Sequence, residues 1–138
     1  MSGFTPMLTV ASLKRSLEFY QRALGFTVET ADPPASPVFL SLFRGGTKLF
    51  LISANSRRSA VFAGRKGIRL YLEVDNAEDL YRNCQSVGVR IIKELTTNER
   101  EGYLEFVMRD PDGFEVGVYS LFKPVNETES GEKGRSNL

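Results

Sequence analysis

Proton transfer by this chain falls to carboxylates and phenols. The 138-residue sequence contains no histidine, the side chain that most often moves protons or holds metals at neutral pH. Three short segments carry the remaining candidates at alternate positions: Arg69, Tyr71 and Glu73, then Tyr103 and Glu105, then Glu115, Gly117 and Tyr119. If these segments are strands, period-two spacing puts each set on one side of its strand. A glutamate near a tyrosine in a partly enclosed site acts as acid or base when desolvation raises its pKa, which makes Glu115 and Glu105 the weak catalytic candidates. The same residues also read as hydrogen-bonded wall residues with no catalytic part. Arg69 has two readings as well: a bidentate anchor for a carboxylate or phosphate, or one half of a buried ion pair with Glu105 or Glu115. A metal site would have to be built from oxygens or from the thiolate of the single cysteine, Cys84. Cys84 sits on a helical stripe with Leu80, Tyr81 and Val87, where a core thiol is expected.

The elements that would position these residues follow from turn and cap signals. Asp110-Pro111-Asp112-Gly113 is a strong turn: proline presets φ, aspartate bonds the backbone ahead of it, and glycine accepts positive φ. The alternating runs on either side, 103–108 and 114–119, predict a hairpin. Gly45-Gly46 predicts another, between 38–44 and 47–53. Ser12 and Asn76 are expected helix N-caps, and Gly25 and Gly88 the matching stops. Strands are expected at 4–10, 26–30, 67–74 and 89–95. The proline-rich segment 32–37 and the polar segment 96–102 are expected loops. Segment 54–66, with Arg57, Arg58, Arg65 and Lys66, reads as a crossover loop, either a cover for the cavity mouth or a solvated basic linker. Segment 123–138 reads as a disordered tail.

Both halves therefore run strand, helix, strand, hairpin, with a repeat of about 64 residues. The expected fold is α+β: tandem βαβββ modules, about 4–53 and 67–122, forming one domain over 1–122, with a curved mixed sheet, a concave cavity and helices on the outer face. One sheet face is wholly apolar, including Leu8, Val10, Leu42, Leu51, Ile68, Leu72, Phe106, Met108 and Val118, and is expected to lie under the helices. The other mixes aromatics with charges: Thr5, Met7, Phe39, Phe43, Lys48 and Phe50 on the first module, and the Arg69, Tyr71, Glu105 and Tyr119 set on the second. Such a mixture fits a ligand cavity, and equally a dimer interface or a partly wet interior.

Composition narrows the partners. Hydrophobic residues make up 41% and the net charge is +1, enough apolar content for a core and no electrostatic footprint for nucleic acid. No apolar run reaches the length needed to span a bilayer, and the first residues do not read as a secretion signal. One cysteine allows no intrachain disulfide, so a cytoplasmic setting is expected.

The segment Ser16-Leu17, Phe19-Tyr20 and Leu24-Gly25-Phe26, together with Asp110-Pro111-Asp112-Gly113, resembles the opening and closing signatures of the vicinal oxygen chelate superfamily. That superfamily includes glyoxalase I, extradiol dioxygenases and bleomycin resistance proteins. The resemblance covers roughly 4–122. It implies four metal-ligand positions on the concave face, which fall here at Thr5, Phe50, Arg69 and Gly117; Ser12 stands where many members have aspartate. None of the four is a suitable ligand, so no metal and no cofactor are expected. The chain is more similar to the metal-free bleomycin-resistance branch, down to Thr5-Pro6-Met7-Leu8 ahead of the opening signature. That likeness implies a homodimer sequestering an aromatic or planar small molecule, with Phe39, Phe43, Phe50, Tyr71, Tyr103 and Tyr119 as stacking faces and Arg69 and Glu105 as polar contacts. The alternative is a metal-free lyase- or isomerase-type enzyme using glutamate and tyrosine on that same face, and a module that binds no small ligand is a third reading.

Overall fold

The computed structural model describes residues 3–54 and 67–122. The expected crossover loop, beyond Ala54, and the expected tail lie outside the described residues.

Each half folds as the punctuation dictates. In the first, β1 (Met7–Val10) leads into α1 (Leu13–Leu24), then β2 (Thr27–Asp32), β3 (Phe39–Arg44) and β4 (Thr47–Ser53). The second repeats the order with β5 (Arg69–Glu73), α2 (Ala77–Ser86), β6 (Arg90–Asn98), β7 (Tyr103–Arg109) and β8 (Glu115–Leu121). Ser12 caps α1 by accepting from the Arg15 amide at 3.1 Å, and Gly25 ends it in the left-handed region at φ 77°. Asn76 caps α2 through the Asp79 amide at 3.0 Å. α1 thus begins and ends at the small polar residue and the glycine expected of it, while α2 ends at Ser86 with Val87 as its C-cap, one residue ahead of the expected stop at Gly88.

Hydrogen bonding divides the eight strands into two four-stranded mixed sheets of identical order, β1-β4-β3-β2 and β5-β8-β7-β6. In each, the first strand runs parallel to the last, and the other neighbours are antiparallel. The α+β repeat is as expected, while the two sheets share no strand pairing among the described residues.

The apolar faces and both helices make one core. Val10, Leu42, Leu51, Phe106, Met108 and Val118 are fully buried. Tyr81 sets its ring edge against Phe106 at 5.1 Å, and the Cys84 thiol lies against the Ala23 carbonyl and Met108. Burial pushes the Cys84 thiol up to about 12, so the thiol is inert packing. Ile68 is the exception: expected in the core, it is 61% exposed, because β5 begins only at Arg69 and no described strand covers that end. β1 begins at Met7, leaving Phe4 exposed. β6 continues to Asn98, so much of the expected loop at 96–102 is strand, and the turn is confined to 99–102.

The two modules are tied by polar contacts of the signature motifs themselves. Asp110 accepts from the Asp112 and Phe114 amides at 2.9 Å, closing the hairpin, and also accepts from the Tyr20 hydroxyl at 2.7 Å. Asp112 accepts from the Ala11 amide at 3.1 Å and the Ser16 hydroxyl at 3.3 Å, beside the start of α1 where a carboxylate is favoured. Asn83 of α2 donates to the Arg22 and Ala23 carbonyls at the end of α1. Burial drives the Tyr20 pKa well up, with the Asp110 charge adding to it, and burial also raises the Asp110 pKa.

Candidate functional site

On the second sheet, pairing sets the candidates into rows across three strands. Arg69 stands opposite Glu115, which stands opposite Arg109. Tyr71, Gly117 and Val107 form the next row, and Glu73, Tyr119 and Glu105 the third. Strand alternation then turns all of them to one face.

The side chains join into a network. Arg69 Nε donates to Glu115 Oε1 at 2.9 Å, and Arg109 Nη2 reaches Glu115 Oε2 at 3.2 Å, so each carboxylate oxygen has its own guanidinium. Arg69 Nη1 also donates to the Tyr71 hydroxyl at 3.1 Å, and that hydroxyl donates to Glu105 Oε1 at 3.0 Å. Lys93 Nζ holds the second Glu105 oxygen at 2.7 Å. Tyr119 donates to Glu73 at 3.2 Å and meets the Tyr71 ring edge-on at 6.0 Å. Arg69 is paired with Glu115, as one of its two readings had it, but 40% of its side chain is exposed, so the pair is a surface one.

The electrostatics follow from these bonds. Burial alone would raise the Glu105 pKa, but the hydrogen bonds from Lys93 and Tyr71 outweigh it and hold the carboxyl below its usual range. An acid held that way is a weak general base near neutral pH. The Tyr71 and Glu115 bonds hold the Arg69 proton more firmly than usual, and the Glu105 bond does the same for Lys93. Burial, then Glu73, raises the Tyr119 pKa.

Gly117 explains the position of Tyr71. Its φ is not positive, so glycine is not required by the backbone there. A Cβ on Gly117 would lie 2.7 Å from Tyr71 Cδ1 and 2.9 Å from Cζ, and closer still to Cε1. The missing side chain is thus the seat of the Tyr71 ring, which lies across β8 with its hydroxyl between Arg69 and Glu105.

The first sheet is different in kind. Phe39 and Phe50 meet edge to face at 5.2 Å, in the favoured aromatic geometry. Phe43 is exposed beside Lys48, its cross-strand neighbour. Lys48 pairs with Glu29 at 3.2 Å, and Glu29 also accepts from the Ser41 hydroxyl at 2.9 Å. Of the expected site residues, the structure gathers Arg69, Tyr71, Glu105, Glu115 and Tyr119 into one network and joins Phe39 to Phe50. Tyr103 lies apart, its hydroxyl accepting from Asn98 at 3.2 Å. Glu29 and Lys93 were missed from sequence. Both sit at register shifts, between Val28 and Thr30 and around Lys93, where the extra residue resets the in–out parity that sequence reading relies on.

A cleft of ≈ 600 Å³ opens between the modules. Tyr20, Leu24, Phe26, Leu49, Leu72 and Val116 are its buried lining; Phe4, Thr5, Lys48 and Tyr71 are exposed at its rim. Tyr71 is the one member of the expected ligand-binding set that reaches it.

Of the four positions at which the resemblance implies metal ligands, Phe50, Arg69 and Gly117 have their space taken up by other contacts, and Thr5 brings a single hydroxyl. Arg69 is a cation already bound to Glu115, Phe50 is packed on Phe39, and the space at Gly117 holds the Tyr71 ring. No group of three or more histidine, cysteine, aspartate or glutamate side chains converges among the described residues. No described helix is long and apolar enough to cross a membrane.

Comparison with known proteins agrees with this architecture. Among solved structures, TioX from Micromonospora sp. ML1 superposes with a TM-score of 0.71 at 17% identity, over 86% of this chain and 95% of that one. A glyoxalase/bleomycin resistance protein/dioxygenase family enzyme from Burkholderia phytofirmans PsJN gives 0.69 at 18%, over 86% and 97%. The hypothetical protein SA1046 from S. aureus gives 0.67 at 20%, over 87% and 94%. A search of curated proteins returns no match. The family model matches residues 5–118, a span that takes in both modules and both signature motifs, and the chain belongs to the Glyoxalase/Bleomycin resistance protein/Dioxygenase superfamily.

Proposed function

We propose that this protein binds an aromatic or planar small molecule on its concave face without a metal, as a sequestering protein of the bleomycin-resistance kind. The observation that carries this reading is Tyr71. Its ring fills the space at Gly117 and its hydroxyl is fixed between Arg69 and Glu105, so the space at one implied metal position is taken up by an aromatic ring. Tyr71 is 49% exposed and its ring is backed edge-on by Tyr119, a ready stacking surface. Phe39 and Phe50 offer a second one on the first module. The low pKa of Glu105 speaks against the competing reading of a lyase or isomerase with that residue as base.

Two copies would complete the site. Among the described residues β1 and β5 each have a neighbour on one side only, and Phe4, Met7, Ile68 and Tyr71 are exposed along or beside them. Free edges carrying apolar side chains suit a homodimer. A cytoplasmic location suits the buried, reduced Cys84.

The test combines metal analysis with a thermal-shift screen of planar antibiotics and aromatic acids on the same sample. A planar compound should raise Tm, and the rise should shrink when Tyr71→Ala removes the stacking face. Stoichiometric zinc, iron or manganese with a Tm that responds to chelators would refute the metal-free reading, and a Tm unmoved by every planar compound would refute the binding reading.

A further inference from the structure

We propose that the cleft between the modules is a second ligand site, distinct from the concave face, and that it takes an amphipathic monoanion: an apolar or aromatic body carrying one carboxylate or sulfonate. The buried part of the cleft does not belong to the concave face, although Thr5, Lys48 and Tyr71 of that face stand at its rim. Its buried lining, Tyr20, Leu24, Leu49, Leu72 and Val116, comes from α1 and from the core-facing positions of β4, β5 and β8. At ≈ 600 Å³ it is of the size that takes a drug-like molecule.

The chemistry of the lining selects the ligand. The buried part offers no idle polar group: the Tyr20 hydroxyl is already donating to Asp110 at 2.7 Å. An apolar body is therefore what that part accepts, since a buried polar group without a partner is costly. Charge enters at the rim. Among the described lining residues Lys48 is the one charged side chain, and none is acidic. Lys48 holds Glu29 at 3.2 Å, but both side chains are well exposed, at 50% and 39%, and Glu29 also accepts from Ser41. Such a solvated pair is weak, and an ammonium has three donors, so Lys48 can hold Glu29 and an arriving carboxylate together. The Tyr71 hydroxyl at the same rim is already committed to Arg69 and Glu105, so among the described lining residues Lys48 is the charged group that recognises the head, with the Thr5 and Thr47 hydroxyls beside it. A cationic ligand would find no counter-charge among the described lining residues.

The absence of tryptophan from the chain gives the test a clean background. The probes are 8-anilinonaphthalene-1-sulfonate and the uncharged N-phenyl-1-naphthylamine, which share the ring system and differ in the anion. Titrations run on the native protein, on Lys48→Met, on Lys14→Met as a control at an exposed helix lysine, and on Gly46→Trp. Gly46 lines the cleft with open space around it, so the new indole reports a bound naphthalene by energy transfer.

The expected result is saturable binding of one sulfonate per chain, about three- to tenfold tighter than the neutral probe. Lys48→Met should remove that preference and leave the neutral probe's affinity alone, while Lys14→Met changes neither. Energy transfer from the Gly46→Trp indole should appear with saturation. Equal affinity of the two probes, or a sulfonate affinity indifferent to Lys48→Met, would overturn the anion assignment. Saturation without energy transfer would place the probe elsewhere and overturn the site. A planar compound from the thermal-shift screen should leave the sulfonate in place; mutual displacement would overturn the claim of a second site while leaving concave-face binding intact.

Discussion

Replacing Gly117 with alanine tests whether one missing methyl group holds the candidate site in shape. The new Cβ would stand 2.7 and 2.9 Å from Cδ1 and Cζ of Tyr71, inside van der Waals contact, with Cε1 nearer. Backbone of a central strand does not yield readily, but the ring of a residue that is 49% exposed does. Tyr71 therefore swings out. It gives up the bond from Arg69 at 3.1 Å, its own bond to Glu105 at 3.0 Å and the edge contact with Tyr119. Half-exposed hydrogen bonds of this kind contribute roughly 0.5–1 kcal/mol each and the ring pair about 0.5. Against that, alanine restricts the unfolded chain and returns about 0.4–1 kcal/mol. The net expectation is a loss of about 1–2 kcal/mol, read from the urea midpoint with an unchanged m-value. In a Tyr71→Ala background the obstacle is gone, so the same substitution should stabilise by about 0.4–1 kcal/mol. This reversal of sign is the decisive feature, and a double-mutant cycle isolates it. An equal cost of Gly117→Ala in both backgrounds would refute the reasoning, because glycine would then serve the backbone or another neighbour.

Other expectations follow from the same bonds. Burial pushes the folded Cys84 thiol up to about 12 from an ordinary 9.0; a folded pKa above the unfolded one means stability that is complete below pH 9 and is lost as pH rises toward 12. By linkage the loss reaches roughly 2 kcal/mol at pH 10.5, and Cys84→Ala should flatten that limb in chemical denaturation across pH 8–11. Tyr20, whose pKa is raised well above 10, adds a further loss beginning above pH 10, so Tyr20→Phe should flatten the curve there while lowering stability at pH 7 by about 1–3 kcal/mol, through Asp110 Oδ2, which loses its donor while Oδ1 keeps the two turn amides. Asp112→Ala removes two contacts that bind the closing turn to α1 and should lower stability by about 1 kcal/mol; amide exchange should quicken at Ala11. The lowered Glu105 pKa gives stability that is present above pH 4.5 and lost as pH falls through the folded value; Lys93→Met should make that acid limb shallower, and an unchanged limb would mean that Lys93 does not hold the carboxylate.

Legibility in the sequence followed the range of the interaction responsible. Caps and turns are local, and Ser12, Asn76, Gly25 and the Asp110–Gly113 turn stand where residue type alone put them. Alternation is also local, so the residues that share the face of Arg69, Tyr71 and Glu105 were readable before any partner was known. Alternation fails at a bulge, because one unpaired residue reverses every later side chain. That is why Glu29 and Lys93, each beside a register shift, escaped a reading that assigns the acids and bases of the site by parity. It fails also at a strand's end, where Ile68 has the right parity and no described neighbour to bury it.

The readings of Gly117 and of the Asp110–Gly113 motif show a further boundary. Sequence marks Gly117 as a position without a metal ligand, an absence with no stated consequence. Only the packing of Tyr71 onto it turns that absence into a positive feature, a floor for an aromatic ring. The turn motif runs the other way. Its residue types suffice to explain a hairpin, and nothing local asks more of them. Yet Asp110 takes the Tyr20 hydroxyl and Asp112 the Ala11 amide, residues about 90 to 101 positions earlier. The signature at the end of the second module is thus the clasp on the helix of the first, and the cleft opens along that same helix, with Tyr20 lying in both. Tyr20→Phe consequently probes two things at once: a cleft that keeps its affinity for the sulfonate probe while the protein loses stability would separate the clasp from the cleft, and a parallel loss of both would make the clasp the element that holds the cleft open.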